Sequence, residues 1–451
     1  MYREEHDSVG KLNIPGEAYY GVNAQRAMDN FQITQMKLDP VLVESLIEIK
    51  KACALTNMEL GELDTKVGEA ILAAADEMLA GNLIGEMIVD PIQGGAGTST
   101  NMNINEVIAN RAIELLGGKK GDYDLVSPND HVNKGQSTND VYPSSGKLTI
   151  LKLADMFLKT LEELAVSFEE KAQEFAHVKK MGRTQLSDAV PITLGAEFHA
   201  YYMVTKRNIK RLAAVRDEVR SLNMGGTAIG TGISAHEAFP VTVNKHLNNL
   251  TGLNLEVAED LVDGTQNIES FGVVADCLKT IGLSCSKIAN DIRLLSSGPR
   301  TGFGEILIPA RQNGSSIMPG KINPVIPEVV NQAAFLTAGN SVTVAMAVEG
   351  GQLELNAFEP VIFHKIIESF RVLDNSLTTF NTNCVKGIQA NEERCRELLE
   401  RSTYLTTALA SHIGYDEAST ITKESLRDNK TVPQVAREHG VSEEILAAIM
   451  E

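Results

Sequence analysis

Apolar residues recur along three stretches of the chain at alternating steps of three and four. The first runs Leu151, Ala154, Leu158, Leu161, Ala165, Phe168, Ala172, Phe175; the second Phe271, Val274, Leu278, Ile281, Cys285, Ile288, Ile292, Leu295. The third runs Phe363, Ile366, Phe370, Leu373, Leu377, Phe380, Cys384. That spacing holds one apolar seam along a helix and favours nearly parallel packing against other helices. Each stretch predicts a helix of ~30 residues, about 45 Å long. In the second, the charges are confined to Asp276, Lys279, Lys287, Asp291 and Arg293, and apolar residues spill past the seam. Such a helix must be covered nearly all round. A closed homo-oligomer sharing one helical bundle is the expectation, with a large monomeric bundle as the alternative.

The flanks read differently. Residues 1–139 look like shorter helices separated by Gly-, Pro- and Asn-rich loops, and residues 391–451 like short helices again. Within the latter, Thr431-Val432-Pro433-Gln434 has the pattern of a helix start. At 451 residues the chain exceeds what one compact core supports. Three domains are expected: an N-terminal helical domain, 1–139; a central long-helix domain, 140–390; and a small C-terminal helical domain, 391–451. The class is mostly α, with no β-rich stretch of note.

Composition narrows the setting. Hydrophobic residues make up 43% of the chain, yet no apolar run approaches the ~20 residues of a membrane span. The first residues lack the charged-then-apolar pattern of a signal peptide. Five cysteines, odd in number, scattered and without a Cys-x-x-Cys pair, argue against a disulfide framework or structural zinc and for the cytoplasm. A net charge of −18 argues against nucleic acid, and an anionic substrate would have to be attracted by local groups against that field.

Candidate chemistry sits in polar loops. Residues 314–324 read Gly-Ser-Ser-Ile-Met-Pro-Gly-Lys-Ile-Asn-Pro. Ser315 and Ser316 offer an oxygen nucleophile or base, Gly314 and Gly320 a backbone able to close, and Lys321 a fixed positive charge. Such a set suits removal of a proton beside a carboxylate. Residues 93–103 (Gln-Gly-Gly-Ala-Gly-Thr-Ser-Thr-Asn-Met-Asn) precede a helical pattern from Asn105 to Leu116, and residues 135–140 (Gly-Gln-Ser-Thr-Asn-Asp) precede the first long seam. Thr98, Ser99, Ser137, Thr138 and Asn139 thus fall at or near helix starts, whose free N–H groups and dipole suit carboxylates. Plain N-capping accounts for any one such loop; three, one carrying Lys321, point to a dianion. The stretch Gly182–Pro191 holds Gln185, which hydrogen-bonds but does not titrate. No metal site is evident among nine histidines, and His131 reads as a hydrogen-bonded structural residue. Cys285 and Cys384 lie on apolar seams and read as core.

These motifs together resemble the aspartase/fumarase superfamily. Gly314–Pro324 matches its signature loop, and the similarity runs from Ala18-Tyr19-Tyr20-Gly21-Val22 to the region of Gly414. Gln93-Gly94-Gly95-Ala96-Gly97-Thr98-Ser99, Tyr19–Val22 and Gln185, which stands where fumarases carry histidine, are similar to the ammonia-eliminating branch. Loss of water needs a proton relay, which imidazole supplies, whereas ammonia leaves more readily.

The resemblance implies a mostly α three-domain fold whose central bundle is shared in a homotetramer, with three subunits contributing to each site. It implies reversible deamination of L-aspartate to fumarate through an aci-carboxylate, with no organic cofactor; activation by a divalent cation is not readable. Fumarate hydration, or ammonia loss from a related amino acid, are the alternatives. Residue by residue, it implies Ser315 as the base at Cβ, stabilised by Lys321. Thr98, Ser99, Ser137, Thr138 and Ser316 would surround the β-carboxylate. Lys321 and Asn323 would bind the α-carboxylate, and Asn139 and Gln185 the amino group. Glu328 resembles the acid that pairs with histidine in fumarases. The chain departs from the pattern at Ser234, where asparagine is usual, at Ser187, where glutamine is common, and by ending short of the usual C-terminal tail.

Overall fold

A computed structural model describes residues 2–314, 317–318, 320–402 and 404–449. The chain opens with an antiparallel hairpin, β1 (Tyr2–Asp7) and β2 (Gly10–Pro15), where short helices were expected. Helices α1 (Val22–Asn30), α2 (Pro40–Glu59), α3 (Thr65–Leu79) and α4 (Thr98–Leu115) follow, then α5 (Thr138–Glu174). A second hairpin, β3 (Lys179–Thr184) and β4 (Ser187–Thr193), leads into α6 (Leu194–Asp217). The short strands β5 (Ser221–Leu222) and β6 (Glu256–Val257) pair in parallel around α7 (Phe239–Thr251). After α8 (Asp263–Gln266) come α9 (Glu269–Leu295), β7 (Ile306–Leu307), α10 (Val325–Glu349) and α11 (Glu359–Asn383). The last segment carries β8 (Gln389–Ala390), α12 (Glu392–Arg401), α13 (Leu405–Ile413), α14 (Tyr415–Asp428), α15 (Val432–Glu438) and α16 (Glu443–Ile449).

The three seams are real. Their residues are buried throughout except Leu158, which is half-buried, and they fall on α5, α9 and α11 or within a residue of their ends. Two further long helices, α6 and α10, share the architecture. The second escaped the seam reading because its apolar residues ring the helix instead of lining one side. The expected helix start at Thr431 is a capping box, Thr431 and Gln434 each satisfying the other's backbone N–H.

Contacts divide the chain into two compact units. The first comprises Met1–Leu158, Lys210–Ile281 and Phe335–Leu373; the second comprises Lys159–Ile209, Gly282–Ala334 and Asp374–Glu451. In the first unit Phe363 packs against Tyr142 and Phe271, and Phe157 meets Phe370 edge-on. Gly146 lets α5 and α11 approach: a Cβ there would lie 2.2 Å from the Phe363 ring. In the second unit Phe168 is surrounded by Phe198, Tyr201 and Phe380. A separate cluster in the same unit joins α13 to α16 through Leu405, Leu409, Ile421, Val432, Val435 and Leu446. All five cysteines are buried and free, Cys285 and Cys384 within the helix packing as expected.

Candidate active site

In the first unit the amino ends of α4 and α5 are built by different means. Ahead of α4, Gly95, Ala96 and Gly97 all take positive φ, folding the chain tightly so that Gly97 caps the helix without any side-chain bond. Glycine is required at 97: a Cβ would lie 2.3 Å from the Tyr142 ring. Gln93 satisfies the first turn from behind, its Oε1 accepting from Thr100 N at 3.0 Å while its Nε2 donates to the Asp90 carbonyl. Thr98 is left exposed and Ser99 half-buried, and among the described residues the Thr98 hydroxyl donates only to Gly95 O.

At α5, Ser137 is an N-cap, so the capping role holds there: its Oγ accepts from Asn139 N, and Asp140 Oδ1 accepts from Ser137 N at 2.9 Å. Asp140 reaches further. It is fully buried, and its Oδ2 accepts from Gly225 N and Thr227 N at 3.0 and 3.1 Å. Burial pushes its carboxyl up to about 6, against three backbone donors and the Lys50 charge that favour the anion. The 223–228 loop is further tied to α5 by Asn139 Nδ2 donating to Ala228 O and Asn223 Nδ2 donating to Asn139 O.

The two helix starts meet through Asn101, whose Nδ2 donates to Thr138 Oγ1 at 3.1 Å and to Asn133 Oδ1 at 3.2 Å. Beneath them lies Lys50, 0% exposed, donating to Asn133 Oδ1 at 3.0 Å and Gln136 Oε1 at 2.9 Å. Its partners are neutral amides, and burial lowers it to about 8. An ammonium without a salt bridge among the described residues, set below two helix amino ends, is a field suited to an anion. Sequence reasoning missed Asn101, Lys50 and Asp140. Asp140 was legible as the fourth residue of Ser137-Thr138-Asn139-Asp140, a capping-box spacing; Lys50, on an apolar helix face, gave no signal.

The second unit carries the remaining sites. Gln185 and Leu186 are the two central residues of the β3–β4 turn, both with positive φ, which makes the loop a type I′ turn without the usual glycine or asparagine. Gln185 therefore sits exposed at a hairpin tip. The hairpin is anchored by Glu305, 0% exposed, between Lys180 at 2.9 Å and Arg183 at 2.9 Å, the Arg183 guanidinium lying over Phe303. In the 314–324 loop, Gly314 N donates to Lys321 O at 2.9 Å and Asn323 Nδ2 donates to Gly314 O at 3.2 Å, closing the loop's base. Lys321 is exposed and forms no ion pair among the described residues. Ser315 and Ser316 lie outside the described residues. Glu328 stands 3.8 Å from Arg293, and His131 Nδ1 accepts from Ser127 N, a structural bond as expected. Thr98, Ser99, Ser137, Thr138 and Asn139 are thus gathered in one unit, and Gln185, Lys321 and Asn323 belong to the other. Among the described residues no group of three or more His, Cys, Asp or Glu side chains is placed to hold a metal, and no helix is long and apolar enough to cross a membrane.

Residues 10–339 match the family described as Lyase, and residues 405–451 match that described as Fumarase C C-terminus. Aspartate ammonia-lyase of a Bacillus species is 49% identical over 99% of this chain and 96% of its own length; that of Helicobacter pylori is 49% identical over 97% and 94%. Among solved structures, the fumarate lyase:delta crystallin from Brucella melitensis bound to cobalt superposes with a TM-score of 0.96 at 47% identity, covering 100% of this chain and 98% of that one. The class II fumarase from Schistosoma mansoni gives 0.93 at 33% identity, covering 100% and 98%. Motifs, fold and relatives agree over the whole length, and the chain belongs to the aspartase/fumarase superfamily of lyases.

Proposed function

We propose that this protein catalyses the reversible deamination of L-aspartate to fumarate and ammonium, the activity named for its Bacillus and Helicobacter relatives. The observation that carries the reading is the convergence of the α4 and α5 amino ends, linked by Asn101 above the buried Lys50. Thr98, Ser99, Ser137 and Thr138, with Ser316, would hold the β-carboxylate. Ser315 takes the Cβ proton, the electron pair rests on that carboxylate as the aci-carboxylate, and its collapse breaks the C–N bond and expels ammonia. Donors fixed before reaction stabilise the added charge without reorganising. Lys321 and Asn323 would bind the α-carboxylate, and Asn139 and Gln185 the amino group. Gln185 offers no proton relay for a hydroxide-like leaving group, which favours ammonia over water. No organic cofactor is needed for these steps.

A cytoplasmic homotetramer, with each site assembled from three subunits, completes the proposal. An uncovered apolar face on α10 supports association: Phe335 is 64% and Met346 71% exposed, with Leu336 and Val342 beside them. That face is more open than any on α9, the helix from which the sequence argued for an oligomer. Five buried, unpaired cysteines favour a reducing compartment. The test of the base is Ser315→Ala: turnover should fall by at least about a thousandfold while the oligomer and substrate binding persist. Near-normal turnover in that variant would remove Ser315 from the role.

A further inference from the structure

Within the first unit a cavity of about 500 Å³ opens between the amino end of α2, the 84–91 loop and α11. Its walls are apolar, with Leu42, Val43, Met87 and Ile367 prominent. The Asp39–Arg371 pair at its edge is bidentate, at 2.9 and 3.0 Å, and Glu368 is engaged by Lys365 and Asn340. Two lining groups differ. Lys37 is exposed and His364 half-buried, and neither has a hydrogen-bond or ion-pair partner among the described residues. Burial first, then the Lys365 charge, holds His364 below the ordinary histidine value, against Glu368 and Asp90. It is thus a neutral ring with a free donor and acceptor. An apolar chamber of this size lined by two unpaired nitrogen groups has the make-up of a small-molecule site.

The cavity also touches the candidate active site from behind. Tyr142 lines it, and the same ring presses on Gly97, the residue that starts α4, and packs on Phe363 of α11 at 5.2 Å. Tyr142 lies one turn beyond Thr138, so one side chain supports both helix starts.

We propose that this cavity is a second ligand site, which takes a carboxylic acid with an apolar or aromatic body. The carboxylate pairs with Lys37 and accepts a hydrogen bond from His364, and the body fills the apolar chamber against Tyr142. Occupancy then changes substrate affinity at the α4 and α5 starts through that ring.

Phenylacetate is the probe, with 2-phenylethanol as its uncharged counterpart. Calorimetry on the intact protein, with succinate present in excess to fill the dianion site, should show saturable binding of phenylacetate at one site per chain. 2-Phenylethanol should bind at least about tenfold more weakly, as should phenylacetate to Lys37→Ala and to His364→Leu, the loss of one charge-assisted contact each. Lys37 is exposed, so Lys37→Ala keeps the fold intact and carries the test alone if His364→Leu does not. In assays with L-aspartate, phenylacetate should shift KM by threefold or more without competing with substrate. Absence of saturable binding, displacement by succinate, or equal affinity in both variants would overturn the site, and binding without any kinetic effect would overturn the link through Tyr142. The calorimetric readout needs no turnover, so it stands or falls separately from the lyase reading.

Discussion

Asp140 shows how one residue joins separate pieces of the candidate site. Three backbone N–H groups from two segments end on its carboxylate, and no other described side chain ties the 225–227 loop to the start of α5 in this way. Asp140→Ala strands those donors in a buried place, and should cost about 3 kcal/mol or more. A urea denaturation midpoint checks the direction, and an unchanged midpoint would show the tether to be idle. Residues of this kind divide by how the sequence displays them. Ser137 and Thr98 were visible because helix starts select hydroxyls. Gln185 was visible only through resemblance, since its strained turn conformation depends on a hairpin that polar residues 182–188 do not announce. Lys50 was invisible: Leu46, Ile47, Cys53 and Ala54 on its face of α2 are apolar, and its amide partners lie more than eighty positions away.

At the scale of elements, the C-terminal helices offer a pH test. Both ring nitrogens of His439 contact carboxylates, Nδ1 to Glu417 at 2.7 Å and Nε2 to Glu424 at 2.8 Å. A ring bonded to two carboxylates must carry two protons, and these bonds raise its pKa in the folded state. Since the folded value lies above the unfolded one, the contribution is fully present below about pH 6.5 and is lost as pH rises through the raised value. The melting temperature of wild-type protein should therefore decline across that window by more than that of His439→Gln. Parallel curves would show that the ring contributes nothing. Long elements were the most legible part of the fold. The 3-4 seams located α5, α9 and α11 because one buried stripe leaves a strict period. The opening hairpin and α10 were missed for opposite reasons: six-residue strands give too short a pattern, and a helix apolar on all sides gives none.

On the scale of the molecule, a net charge of −18 repels an anionic substrate at a distance. In the proposed site attraction then falls to local groups, namely helix amino ends, Lys50 and Lys321, and the KM for L-aspartate should rise as added salt screens them. In the proposed oligomer a partner subunit covers the exposed apolar face of α10. Met346→Glu puts a charge in it, and should shift light-scattering mass toward the monomer and reduce turnover together. A full-size assembly in that variant would place the subunit contact elsewhere. The most direct measurement of the whole reading follows fumarate by ultraviolet absorbance when purified protein is mixed with L-aspartate or, separately, L-malate. Deamination as proposed gives fumarate from L-aspartate and none above background from L-malate. Fumarate from L-malate alone would contradict it.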